Sequence, residues 1–91
     1  MLINSLIIDF NLLYVSSLKE RRNIISSIKS KLSKYNVSIL DISSEYPKEA
    51  SIAIAYLTHN RVDSYKIKEK IEKLILNSFA EIEFESYLEI I

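Results

Sequence analysis

The sequence predicts a single α+β domain of order βαββαβ, a sandwich in which a four-stranded antiparallel sheet carries two helices on one face. Two kinds of hydrophobic spacing predict this class. Apolar residues alternate with polar ones in four segments, as on half-buried strands, and recur every three or four positions in two others, as on helices. A chain of 91 residues is long enough for one core and too short for two, so residues 1–91 are expected to form one domain.

The first strand and the first helix have clear local signals. Apolar residues alternate over 6–12, which predicts the strand. Ser17 followed three positions later by Glu20 is a capping-box pattern, in which each side chain satisfies a backbone N–H of the first helical turn. The pattern predicts a helix over 18–34.

A hairpin of two strands is expected next. Asn36 tolerates the left-handed conformation that often ends a helix, and the alternation resumes over 37–44. Pro47 cannot sit inside a paired strand, so 45–49 is predicted to be a turn before a third strand over 50–58.

The last third of the chain predicts a helix and a final strand. Asn60 is a good N-cap for a helix that ends near Ser78, and alternation over 81–90 predicts the strand. Right-handed crossovers in both halves then produce the ferredoxin-like arrangement. One face of the last strand is acidic, which argues against RNA lying across the open sheet; its glutamates are Glu81, Glu83, Glu85 and Glu89.

Composition excludes several classes of function. The chain has no cysteine, which excludes disulfides and thiol nucleophiles, and one histidine, which leaves no imidazole cluster for a metal. It also has no glycine, so phosphate-cradling loops and dinucleotide fingerprints are absent. We therefore expect no cofactor and no metal, and we favour a non-enzymatic role over an enzymatic one.

Charge and hydropathy limit location and partners. The N-terminus has no basic region before its apolar run, and Asp9 interrupts that run well short of a membrane span. These features predict a cytoplasmic protein without membrane contact. Because the formal net charge is zero, the whole molecule offers no general attraction for nucleic acid, and any such binding must be local.

Three cations in the first turn of the first helix are the most informative feature for function. The helix dipole is positive there, so cations are unfavourable unless something else compensates them. We expect the first and third strands to run parallel, which brings both helix starts to one edge of the sheet and forms an anion site. The predicted RNA- or anion-binding residues are Lys19, Arg21, Arg22, Lys29, His59, Asn60 and Arg61.

The same residues also allow a purely intramolecular interpretation. Arg21 falls within the apolar arc of its helix, so its stem is expected to pack along the core while the guanidinium emerges at the edge. It would then pair with Asp9 or Glu20 instead of a ligand. Asn60 would only cap its helix, and His59 fits a loop hydrogen bond better than a general base.

Three stretches, residues 17–22, 30–39 and 57–61, resemble the small bacterial YlxP-like family, a domain of unknown function. The resemblance implies a ferredoxin-like fold. Members are often encoded near genes of translation initiation and ribosome maturation, which implies RNA or a ribosomal particle as the partner. The chain departs from the family pattern where Tyr14, Val15 and Ser16 stand in place of the glycine that commonly precedes the helix.

These observations support one leading function and several alternatives. The leading hypothesis is a non-enzymatic module that binds RNA or a ribosomal particle through the basic edge. The alternative is a protein-interaction or homo-oligomerisation domain that uses the final strand or the open sheet face, on which we expect Ile3, Ile7, Leu57, Tyr87 and Ile91. An acylphosphatase-like enzyme and a small-molecule regulatory domain of the ACT type share the architecture, but both depend on glycine-containing loops.

Overall fold

The computed structural model describes residues 1–79 and 81–91 and confirms the ferredoxin-like α+β fold. A single four-stranded sheet has the order β2-β3-β1-β4, and each neighbouring pair is antiparallel. A short 3-10 turn, Ser33–Tyr35, follows the first helix. The elements are β1 (Leu2–Asn11), α1 (Leu18–Leu32), β2 (Ser38–Asp41), β3 (Glu49–Thr58), α2 (Arg61–Ser78) and β4 (Glu83–Ile90).

The core lies between the sheet and the helices. Every second residue of β1 from Asn4 onward and of β3 is buried, as the alternation predicts, and the residues between them are more exposed. Each helix contributes a stripe at helical spacing. The most deeply buried apolar side chains are Leu6, Ile8, Ile28, Leu32, Ile52, Ile54, Ile71 and Ile75.

Strand β1 begins four residues earlier than its hydrophobic alternation predicts. The reason is Asn4, a polar residue at an inward position that the apolar pattern does not count. Its Nδ2 donates to the Tyr56 carbonyl at 3.1 Å and to the Thr58 hydroxyl at 2.9 Å, which compensates the burial of the NH2 group.

Strand β2 is shorter than predicted because hydrogen bonds to the side chain of Asp41 turn the chain at its end. The Asp41 carboxylate accepts hydrogen bonds from the backbone N–H and the hydroxyl of Ser43, at 2.9 and 2.6 Å, and this turn diverts the chain after Asp41. Partial burial opposes ionisation of Asp41. The Ser43 hydrogen bonds and the charges of Arg21 and Lys29 outweigh that effect and lower its pKa below 3.8.

The relative direction of β1 and β3 contradicts the expectation from sequence. The two strands are antiparallel: Leu2 lies opposite Thr58 at one end, and Asn11 lies opposite Glu49 at the other. The crossover through α1 returns the chain in the direction of β1, and the hairpin from β2 to β3 then reverses it. Helices α1 and α2 therefore begin at opposite ends of the sheet, separated by a ten-residue strand, roughly 30 Å.

Candidate functional site

The start of α1 is capped as predicted, with one difference. The Ser17 hydroxyl accepts the N–H of Glu20 at 3.2 Å. The Glu20 carboxylate accepts from the Ser16 hydroxyl at 3.0 Å, where a full capping box would have it accept the N–H of Ser17. One carboxylate in the first turn is therefore engaged locally.

Arg21 is a structural residue at this end of the sheet. Its side chain is 8% exposed, and its Nη1 donates to the Tyr46 carbonyl at 2.9 Å and to the Glu49 carbonyl at 3.1 Å. The predicted burial of the stem is confirmed. Among the described residues it forms no ion pair with Asp9 or Glu20, because its guanidinium binds the backbone of the loop between β2 and β3 instead.

Lys48 makes the reciprocal contact from that loop. Its Nζ donates to the carbonyls of Leu13 and Val15, at 3.0 and 3.1 Å, in the loop between β1 and α1. Lys48 thus ties two loops together, and Arg21 ties α1 to the hairpin of β2 and β3. We call this arrangement the cation latch; it comprises Arg21, Lys48 and the four carbonyls of Leu13, Val15, Tyr46 and Glu49. Every residue has a backbone carbonyl, so the acceptors of the cation latch cannot be recognised in the sequence. The one indication in the sequence was the unfavourable position of Arg21 in the first turn of α1.

The structure divides the seven predicted site residues between two places. Lys19, Arg22 and Lys29 are exposed on α1, while Arg21 belongs to the cation latch. The other three follow β3 at the far end of the sheet: His59, Asn60 and Arg61. The prediction that both helix starts lie at one edge of the sheet is wrong, because it assumed that β1 and β3 run parallel.

The start of α2 is held in place by hydrogen bonds that uncharged side chains form. Asn60 caps the helix by accepting the Asp63 N–H at 2.9 Å, as predicted. Behind it the Ser64 hydroxyl lies 2.7 Å from the Thr58 hydroxyl, and the Tyr56 hydroxyl donates to the Ser64 carbonyl at 2.8 Å. With Asn4 these residues form a buried polar network. Burial, reinforced by the neighbouring Tyr65, raises the pKa of Tyr56 to about 12.

Charges separate between the two layers of the molecule. The helices carry ten cations and four carboxylates, whereas the strands carry six carboxylates and no cation, so a protein of zero net charge presents one cationic and one anionic layer. The helix cations are Lys19, Arg21, Arg22, Lys29, Lys31, Arg61, Lys66, Lys68, Lys70 and Lys73; the strand carboxylates are Asp9, Asp41, Glu49, Glu83, Glu85 and Glu89.

The open face of the sheet is apolar at one end and acidic at the other. Ile7 lies between Ala53 and Tyr87, and Ile3 lies opposite Leu57, so the expected apolar residues share this face. Where the apolar end meets the acidic end, the hydroxyl of Tyr87 donates to Glu85. That hydrogen bond, the charge of Glu85 and the charge of Asp9 raise the pKa of Tyr87.

Within residues 1–79 and 81–91, no three His, Cys, Asp or Glu side chains group closely enough to hold a metal ion. None of the helices in that part of the chain is long and apolar enough to cross a membrane.

Comparisons with known proteins establish a family but no activity. The chain resembles the de novo designed protein Foldit4, with 13% identity, a TM-score of 0.63, and coverage of 98% of this chain and 97% of that one. It also resembles a dimeric ferredoxin-like protein from an uncultured marine organism, with 16% identity, a TM-score of 0.49, and coverage of 99% and 92%. No curated protein matches. A model of the family described as protein of unknown function DUF503 matches residues 3–88, and the chain belongs to that family.

Proposed function

We propose that the protein is a non-enzymatic binding module that contacts RNA or a ribosomal particle through the outer face of α1. The observation that carries the proposal is the separation of charge between the layers. Phosphates are attracted to a local concentration of Lys and Arg, and a zero net charge does not weaken that attraction at short range, since salt screens charges beyond about 8–10 Å.

Helix α1 is better suited than α2 to bind a polyanion. It carries five cations and one carboxylate, Glu20, which already accepts a hydrogen bond from Ser16. Helix α2 also carries five cations, but three carboxylates accompany them, and Lys68 is paired with Glu72 at 3.2 Å. The exposed phosphate ligands on α1 are therefore Lys19, Arg22 and Lys29, while Arg21 positions the neighbouring loop.

The open sheet face is unsuitable for RNA. Sheet-based RNA recognition stacks bases on aromatic side chains of the central strands. The outward residues of β1 and β3 include no aromatic residue, and Asp9 and Glu49 on those strands repel phosphate. This distribution supports binding by the helix layer.

The test compares two triple variants that change net charge equally. One replaces Lys19, Arg22 and Lys29 by Gln; the control replaces Lys66, Lys70 and Lys73 on α2 by Gln. Filter binding to purified ribosomal subunits and to their RNA, over a range of salt concentrations, measures affinity. We expect the α1 variant to lower the slope of log affinity against log salt by about 2, roughly 0.7 per lost phosphate contact, and the α2 variant to change it much less. Equal losses would refute the assignment to α1.

A second candidate function is protein interaction through the open sheet face, including self-association. The observation that favours it is the pair of apolar rows on that face: Ile3 lies opposite Leu57 and Ile7 lies opposite Tyr87, and a row that contains Ser5 separates them. Light scattering at micromolar concentration tests self-association directly. If the protein associates, Leu57→Lys should dissociate it, whereas Val62→Lys on α2 should not, since these side chains are similarly exposed at 61% and 63%. A strictly monomeric particle would contradict self-association.

A further inference from the structure

Strand β4 leaves a long edge of the sheet unpaired. It has eight residues and, within the described residues, pairs only with β1. Natural edge strands are usually protected by short length, charged side chains, proline or a bulge. Strand β4 has no proline and keeps continuous register with β1, and its charges are all negative, so they repel acidic partners only. The opposite edge, β2, has four residues and ends at the Asp41 turn. Only β4 is therefore a long template for another strand.

The register shows which backbone groups of β4 face outward. The Ile91 N–H donates to the Ile3 carbonyl at 2.8 Å, and the Ile3 N–H donates to the Ile91 carbonyl, so these two residues are a hydrogen-bonded pair. Hydrogen-bonded and non-hydrogen-bonded pairs alternate along an antiparallel ladder. The backbone N–H and C=O of every second residue of β4 consequently point away from β1; these residues are Phe84, Ser86, Leu88 and Ile90.

The side chains of β4 on the helix side are incompletely covered. Phe84 and Leu88 pack against the core but are only partly buried, whereas Leu6 and Ile8 on the adjacent strand are fully buried. An additional strand outside β4 would bring apolar side chains beside Phe84 and Leu88 and remove more of their surface from water.

The other face of β4 selects the charge of an added strand. Glu83, Glu85 and Glu89 project from it, and no strand of the sheet supplies a cation to neutralise them. Directly opposite charges on neighbouring strands stabilise pairing, and like charges destabilise it. Basic side chains on the added strand therefore complement this face.

We propose that the outer edge of β4 binds an extended segment of another protein, in which basic and apolar residues alternate, as a fifth strand of the sheet. A second copy of this chain fits less well. Antiparallel pairing of two β4 strands centred on Ser86 places Glu83 opposite Glu89 of the other copy, and pairing centred on Tyr87 places Glu85 opposite Glu89. The proposal is independent of RNA binding, because it uses the anionic layer.

The decisive experiment removes one outward N–H. A fluorescently labelled ten-residue peptide of alternating lysine and valine is the probe, and anisotropy at low salt measures its affinity. Ser86→Pro removes an outward N–H without removing a bond to β1, so we expect at least tenfold weaker binding. Ser86→Ala is the matched control, since it loses the hydrogen bond from the Ser86 hydroxyl to Glu72 but keeps the N–H. It should bind within twofold of the parent. Equal binding by both variants would overturn the proposal.

Two further measurements keep the test independent of folding defects. A peptide N-methylated at alternate residues cannot form the ladder and should not bind the parent protein. Glu83→Gln/Glu85→Gln should weaken binding about fivefold, since exposed ion pairs contribute modestly, whereas Glu45→Gln/Glu69→Gln, with the same change in net charge, should not. Undiminished binding of the methylated peptide, or equal effects of the two double variants, would refute the proposal. A dimer that Ser86→Pro dissociates would show that the occupant is a second copy and would also refute it.

Discussion

The two helix starts are capped by the same chemistry but anchored to the sheet by different chemistry. Ser17 and Asn60 each accept the N–H three residues later. Behind the cap of α1, Arg21 and Lys48 donate to backbone carbonyls, so charge holds that end together. Behind the cap of α2, the buried polar network of Asn4, Tyr56, Thr58 and Ser64 uses only hydroxyl, amide and carbonyl groups.

The difference shows that a cluster of cations in a sequence has more than one meaning. Arg21 and Arg22 are adjacent and chemically identical, yet one is buried against carbonyls and the other is exposed. The guanidinium of Arg21 is buried, and its Nη1 donates to two backbone carbonyls, so Arg21 is less accessible to a ligand than Arg22. The buried polar network behind α2, in contrast, could not be predicted from the sequence, because its members are ordinary uncharged residues.

The largest expected effect comes from breaking the cation latch. Arg21→Met keeps the apolar stem but removes the two charged hydrogen bonds to the Tyr46 and Glu49 carbonyls, and we expect the free energy of unfolding to fall by about 2–4 kcal/mol. Arg22→Met is the matched control, and an exposed site should change stability by at most about 0.5 kcal/mol. Urea unfolding measures both. Similar losses for the two variants would mean that the latch does not anchor α1.

A smaller effect should appear at the other helix start when the pH is raised. Folding keeps Tyr56 protonated up to a pKa of about 12, above its ordinary value of 10.0, so its contribution is complete below pH 10 and is lost between pH 10 and 12. The loss is at most about 2–3 kcal/mol, from 1.36 kcal/mol per pKa unit. Unfolding free energies measured from pH 9 upward should decline less steeply for Tyr56→Phe than for the parent. Parallel curves would contradict this prediction.

The smallest effects should come from the two caps, which are alike in chemistry. Ser17→Ala and Asn60→Ala should each lower the free energy of unfolding by about 1 kcal/mol, since each leaves one helical N–H without its acceptor. Thermal unfolding of both variants, with Ser26→Ala in the middle of α1 as the control, provides the measurement. A loss at one cap and none at the other would show that the anchors behind the caps outweigh the caps themselves.

The fold was largely predictable because its signals are local. Alternation identified all four strands, and helical spacing with Ser17 and Asn60 as caps located both helices. The errors in strand bounds occurred where a polar residue changed the pattern: Asn4 occupies an inward position of β1, and Asp41 turns the chain and shortens β2. Asn36 ends the first helical segment with φ 55°, as its residue type indicated.

The candidate site was less predictable because it depends on distant partners. Lys19, Arg22 and Lys29 are exposed on one helix, which supports their assignment as ligands for an anion. His59, Asn60 and Arg61 lie at the other end of the sheet, and no local pattern distinguishes the two arrangements. The role of Lys48 in joining two loops was not predicted, because its acceptors are carbonyls 33 and 35 positions away in the chain.

The sequence by itself determined the order of the elements, the caps and the acidic face of β4, because each follows from residues within a few positions of one another. Only the tertiary structure decided that β1 and β3 run antiparallel, that Arg21 binds the loop between β2 and β3, and that charge separates into two layers. The physical reason is that these features arise from pairing between segments far apart in the chain, whose backbone donors and acceptors are the same for every residue type except proline.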